Sequence, residues 1–458
     1  MRDVDAIAAL VVLAIIVAAL APRLRLPAPS ILVLVGLGVG FVPGVEALHP
    51  TPELMTLGVL PPLLFAAAQQ ISLLDLRQVW RPVAVLAFGL VMVSAAAVAA
   101  VTQAVVPGMS LAVAFTFGAV LASTDPVAVT ALSRELRLPP RVATLVQAES
   151  LFNDATSLVL FEVAVAAAVG SHVGTGNAVG RFVVLAAGGT AAGVITGWLA
   201  GLALRRAHDP TVQAAIALAT PYVAAIAAQT THVSPVTAVI VAGLMLGRRR
   251  ARARHSEGRL LAGSVYEVVV FVLENAVFAV IGLQLATFMR GLYRDEAGTT
   301  AVLVVVVAVT LLAVRAIALA APRRQWKTTA VMTWAGARGV IPLVAALAIP
   351  TQTDGGAPFP HRAMLLVAAT AVSSSRWSCK ARRWPPWYAG LVFPLRRLRC
   401  ARNYNEPSVR WHWQRSTVST DWPSPSMRTT RQRTACGRSS VGAQSRPANR
   451  SVTARQTL

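Results

Sequence analysis

Thirteen apolar stretches follow one another along the chain, near residues 4–21, 30–45, 53–71, 82–106, 110–133, 142–169, 179–204, 211–231, 235–247, 261–288, 299–321, 327–350 and 361–375. Most approach the roughly 20 residues that an α-helix needs to cross a bilayer. In hydrocarbon every backbone polar group must be satisfied internally, so runs of this length can only be helices. The fold class expected is therefore all-α and polytopic, with about 13 transmembrane helices. Composition agrees: 55% of the 458 residues are hydrophobic and 13% charged, against about 25% charged in soluble domains. The first run does not read as a signal peptide, because Asp3 and Asp5 stand where a basic region should be.

The connections test this count. Those after odd-numbered spans up to the eleventh hold 18 Lys/Arg, including Arg23, Arg77, Arg134, Arg205, the 248–259 cluster and Arg323. The N-terminus and the connections after even-numbered spans hold five: Arg2, Arg181, Arg290, Arg294 and Arg362. The positive-inside rule then puts the N-terminus outside and the odd connections, with the C-terminal tail, in the cytoplasm. The same rule accounts for RRRARAR (248–254), so no nucleic-acid partner is inferred from it. The histidines lack metal-ligand spacing, and no cofactor is expected. An odd count suits two inverted six-helix repeats plus one helix, although no repeat is visible in the sequence.

Three polar stretches interrupt the apolar background. QAESLFNDATSLVLF (147–161) places two acids, Glu149 and Asp154, in the sixth span. An acid in the bilayer centre costs roughly 2.5–3.5 kcal/mol on insertion scales, so a chain that keeps two has a use for them. On a helix Glu149 and Asn153 share a face, as do Ser150 and Asp154, which makes a band of oxygen ligands with a titratable group. Such a carboxylate takes a proton or a small cation, but not both well. The second stretch centres on Thr124-Asp125-Pro126. Pro126 removes a backbone donor and disfavours helix at Asp125, so a break is expected there, with freed carbonyls able to hold a cation. A plain proline kink with a loop-end Asp is the alternative. The third is TWAGARGVIPLVAALAIP (333–350), with Arg338 between Gly336 and Gly339. Arg338 needs an anion, and Glu149 is the natural candidate unless Arg338 snorkels to the cytoplasmic face. Pro61, Pro62, Pro235 and Pro342 mark further kinks or breaks.

TDPVAV, ESLFNDAT and WAGARG, in this order, resemble the monovalent cation:proton antiporter-1 family of sodium/proton exchangers, as do PPLLFAAAQQ (61–70) and VFAVIGLQL (277–285). The similarity covers about residues 5–375. It implies an inverted-repeat antiporter fold, with a core domain of crossed broken helices and a dimerisation domain, hence a homodimer in the inner membrane. It implies that Asp154 binds the transported cation or proton, and that Asp125, Thr124 and Ser150 supply further oxygens, with Asp154 and Asp125 the transient ligands of a monovalent metal ion. It implies that Asn153 supports the site and that Arg338 pairs with Glu149. An Asn-Asp pair is associated in this family with electroneutral exchange. One departure is Ala66, where many relatives carry a Glu after PPLLF. K+/H+ exchange, a channel and a non-transporting cation or pH sensor are the competing functions; no Ser-His or zinc motif points to an enzyme.

Residues 376–458 break the pattern. They hold 17 Lys/Arg, two acids, six of the ten Trp and all three Cys, with no period. Back-translated one nucleotide earlier, Trp377–Pro394 permits VVLQGATLAPLVRRAG, an apolar helix end. The expectation is a membrane domain over 1–375 and a tail from 376 that is out of frame or disordered. An inactive product follows if the shift is real, and resequencing that confirms an open frame to Leu458 would sink it.

Overall fold

A computed structural model describes residues 28–42, 51–124, 140–170, 175–252, 257–291, 294–319 and 339–381, together with Val12 and 15–17, which are helical. All of them belong to the compact unit Met1–Arg396. Beyond residue 27, the described residues form these α-helices in order: α1 Ala28–Gly40, α2 Leu60–Gln69, α3 Leu73–Ala84, α4 Val91–Val105, α5 Leu111–Ala122, α6 Pro140–Val169, α7 Thr175–Arg206, α8 Pro210–Thr230, α9 Pro235–Arg252, α10 Glu257–Gly291, α11 Arg294–Leu319, α12 Val340–Leu347 and α13 Arg362–Ala381. Among the described residues the only extended pairing is an isolated bridge between Gln352 and Pro358. Among the described residues six helical rods are long and apolar enough to cross a membrane, including Asp75–Val105 and Thr144–Val169.

Helices and apolar stretches do not correspond one to one. The fourth span is built from α3, a π-helical turn Val85–Leu90 and α4 in one continuous rod. Pro82 lies inside α3. A proline there removes one intrahelical donor and crowds the carbonyl four residues back, and the wider π turn follows within one turn of it. Leu54–Val59 is likewise π-helical and hands over to α2 at Leu60, just before Pro61 and Pro62. Pro235 is the first residue of α9, where a missing N–H costs nothing.

Helices also overshoot the apolar runs. Arg77 and Arg81, assigned above to a connection, lie on α3 with exposed side chains. Ser72 caps this helix by accepting from the Asp75 N–H at 3.4 Å, so the helix starts well before the greasy stretch does. At the other end α13 runs on past Ser375 to Ala381, while 382–458 lie outside the described residues.

Close helix pairs are made by missing side chains. α1 packs most intimately on α10, and α7 on α9. At the first crossing a Cβ on Gly282 would overlap the Val33 carbonyl. At the second, a Cβ on Gly189 would lie 2.6 Å from the Ser234 carbonyl oxygen. Small residues let backbones approach where lipid supplies no hydrophobic drive for helices to associate. α6 packs chiefly against α5 and α3, with smaller contacts to α7 and α9, whereas α9 packs against α7, α2 and α8.

Candidate functional site

α5 stops at Ala122, and Ser123 is already extended (φ −64°, ψ 150°). The interruption therefore opens ahead of the Thr124-Asp125-Pro126 centre read from the sequence. α12 begins at Val340 after an extended Gly339 (φ −103°, ψ −151°) and packs on α5 and α6. Both interrupted helices thus pack on α6. Asp125 and the 125–139 stretch lie outside the described residues, as does Arg338.

Into the first interruption α6 presents Asp154, 1% exposed. Ser123 donates its hydroxyl proton to Asp154 Oδ1. Asn153 Nδ2 donates to Thr124 Oγ1 at 3.0 Å, and Thr124 donates to Ser150 Oγ at 3.4 Å. Ser157 donates to the Asp154 backbone carbonyl at 3.2 Å. Ser123, Thr124, Ser150 and Asn153 are all buried. The site is thus a carboxylate, three hydroxyls and an amide at a helix break, sealed from bulk solvent. The structure brings Asp154, Thr124, Ser150 and Asn153 together. It adds Ser123, which sequence reasoning passed over because one serine in an apolar run reads as ordinary helix filling.

Asp154 and Glu149 face different neighbours. Glu149 is fully buried, and its Oε1 accepts from Arg315 Nη2 of α11 at 2.8 Å, an ion pair whose Arg side chain is 6% exposed. α11 packs on α4 and α13 and not closely on α6, so the long guanidinium arm makes the connection. Among the described residues, Glu149 Oε2 and Asn153 Oδ1, one helical turn apart, have no hydrogen-bond partner. Arg315 was missed because it lies near the Leu319 end of its helix, where an Arg fits the positive-inside pattern without any site. The available signal was the absence of any other charge between Ala297 and Leu319.

The arrangement can hold one small monovalent cation or one proton. Among the described residues its ligands are hard oxygens, its acid is Asp154, and the neighbouring Glu149 is paired with Arg315. Burying both acids unpaired would be costly. The Arg315 pairing gives Glu149 a partner of its own, distinct from the hydroxyls around Asp154.

Comparison with known proteins gives concordant matches. The family model described as "Sodium/hydrogen exchanger, transmembrane" matches residues 9–377. An uncharacterized Na(+)/H(+) exchanger of Mycobacterium bovis is 33% identical over 385 residues, covering 80% of this chain and 70% of the relative. A "Sodium, potassium, lithium and rubidium/H(+) antiporter" of Bacillus pumilus is 29% identical, covering 76% of this chain and 55% of that protein. The solved sodium proton antiporter MjNhaP1 from Methanocaldococcus jannaschii superimposes with a TM-score of 0.69 at 19% identity, covering 86% of this chain and 98% of that one.

Proposed function

The chain belongs to the sodium/hydrogen exchanger family, and from that premise we propose that it is a secondary antiporter exchanging cytoplasmic Na+ for external H+ across the inner membrane. The observation that carries the assignment is Asp154, a buried carboxylate held by Ser123 at the point where α5 breaks. In the cycle, Asp154 releases a proton toward the cytoplasm and takes a cation together with oxygens from Asp125, Ser150 and Thr124. The site is then exposed outside, where a proton displaces the cation. Asp154 serves both ions in turn, which makes the exchange obligatory and, at one proton for one monovalent cation, electroneutral. No resident cofactor is required, because the chemistry is ion binding alone.

Broken helices suit this task because freed carbonyls and half-helix ends can solvate an ion that has left water. Asn153 holds Thr124 and so fixes the break, and Glu149 with Arg315 ties α6 to α11. The chain is a multi-pass membrane protein; the N-terminus is placed outside and the tail in the cytoplasm on the loop charges. A homodimer is proposed from the family resemblance.

Potassium is the second candidate cation, because the Bacillus pumilus relative is named as an antiporter of sodium, potassium, lithium and rubidium. The test is Asp154→Asn in everted vesicles, comparing Na+, Li+ and K+ as drivers of proton release. Loss of all cation-dependent proton flux is expected, with protein levels unchanged. Normal exchange in this variant would refute the site.

A further inference from the structure

Glu162 lies on α6 eight residues beyond Asp154, about 12 Å along the helix toward its Val169 end. No step of the exchange described above uses it. Its Oε1 accepts from Ser234 Oγ at 3.3 Å. Ser234 is fully buried and immediately precedes Pro235, the first residue of α9. The Ser234 N–H donates to the Leu185 carbonyl of α7 at 3.2 Å, and Gly189 of α7 gives the Ser234 carbonyl room to approach. Ser234 is therefore part of the tightly packed α7–α9 pair. Glu162 is part of α6, which packs chiefly on α5 and α3 and less extensively on α7 and α9. The hydrogen bond thus adds a polar link across the limited contact between α6 and the α7–α9 pair.

Several charges bear on this carboxylate. From α7, Arg181 acts on it electrostatically. From α9 come the Ser234 hydroxyl and the positive end of the helix. Beyond the end of α6, Asp354 donates its backbone N–H to the Val169 carbonyl at 3.1 Å. On its own helix the nearest acid is Asp154. An ionised Glu162 accepts a charge-assisted bond, which is roughly twice as strong as a neutral one, and attracts Arg181. A protonated Glu162 has the weaker bond and no attraction.

We propose that Glu162 is a positioning residue for exchange: its carboxylate tethers the Asp154 helix to the α7–α9 pair in this conformation, and its protonation releases α6 to move. This rests on the antiport assignment, in which α6 carries Asp154 between the two sides. The tether makes the conformational step depend on pH at a site separate from the ion-binding carboxylate.

The test uses the full chain with Cys379, Cys400 and Cys436 replaced by Ser, since the membrane part has no cysteine. Val165→Cys, one turn from Glu162 on α6, is the reporter, and a membrane-impermeant maleimide is the probe. In the parent, labelling should accelerate as pH falls. With Glu162→Gln it should run about tenfold faster than the parent at high pH, the scale of a lost hydrogen bond to a charged group, and should respond little to pH. Ser234→Ala should act in the same direction, and the double variant should add nothing further. Should Glu162→Gln fail to fold, Ser234→Ala carries the comparison. A labelling rate and pH response equal to the parent's in these variants overturns the tether, as do effects that multiply in the double variant. Glu162→Gln should also keep cation exchange with a displaced pH profile, whereas Asp154→Asn should lose exchange and keep the parent's labelling. Failure of the tether and failure of the antiport assignment therefore give different results.

Discussion

Replacing Arg315 by Met should destabilise the protein more than any other single change at the site. Glu149 is fully buried and accepts from Arg315 Nη2 at 2.8 Å, and its second oxygen already has no partner. Removing the guanidinium leaves a buried carboxylate with no countercharge at that oxygen. Breaking a buried ion pair from one side costs about 3–5 kcal/mol, because the remaining ion keeps its desolvation penalty and loses its compensation. That is a factor of roughly 150–5000 in the folded population at 25 °C. Replacing both partners by apolar groups, Glu149→Leu with Arg315→Met, removes the penalty along with the attraction. The double variant should then lie within about 1–2 kcal/mol of the parent. The assay is thermal melting of the detergent-purified protein, followed by fluorescence-detected size exclusion, for the parent, both single variants and the double. The coupling is read as a double-mutant cycle. A single Arg315→Met variant as stable as the parent would refute the reasoning. So would a double variant whose loss equals the sum of the two single losses.

Two further predictions concern the break and the scaffold. Thr124→Val keeps the shape but strands the buried Asn153 Nδ2 donor, which now bonds Thr124 Oγ1 at 3.0 Å; it should cost about 1–3 kcal/mol in melting experiments, while Thr124→Ser should be nearly neutral. Gly282→Val places a side chain against the Val33 carbonyl across the α1–α10 crossing. The backbones must then separate, and folded protein recovered from membranes should fall several-fold, an overpacking penalty of roughly 1–3 kcal/mol.

The two interruptions in the helix pattern illustrate how far local sequence reaches. Pro126 announces a break because its ring and missing N–H act within a few residues. The chain in fact leaves the helix at Ser123, and that shift brings Ser123 onto Asp154. Pro82 and Pro221 sit inside helices that continue through them. The same residue type therefore ends one element and is absorbed by another, and the packing around each helix decides which. Loop charges tracked the order of the spans, but the helices extend beyond their apolar runs, as Arg77 and Arg81 on α3 show. Hydropathy marks the bilayer, whereas hydrogen bonding sets the helix end.

By itself the sequence determined that the chain is a bundle of membrane helices, that α6 carries its acids in a greasy run, and that the preceding helix is interrupted near a proline. These are one-dimensional properties: length, apolar content, a four-residue spacing and a proline. Which partner each acid has was decided by tertiary structure alone. Glu149 meets Arg315 from 166 residues away, across helices that hardly touch. Asp154 meets a serine that sequence does not distinguish from its neighbours. Glu162 meets Ser234 because glycines let α7 and α9 close on each other and carry that serine to α6. A buried charge demands a partner, but no local rule says which element delivers it; only the packing of distant helices does.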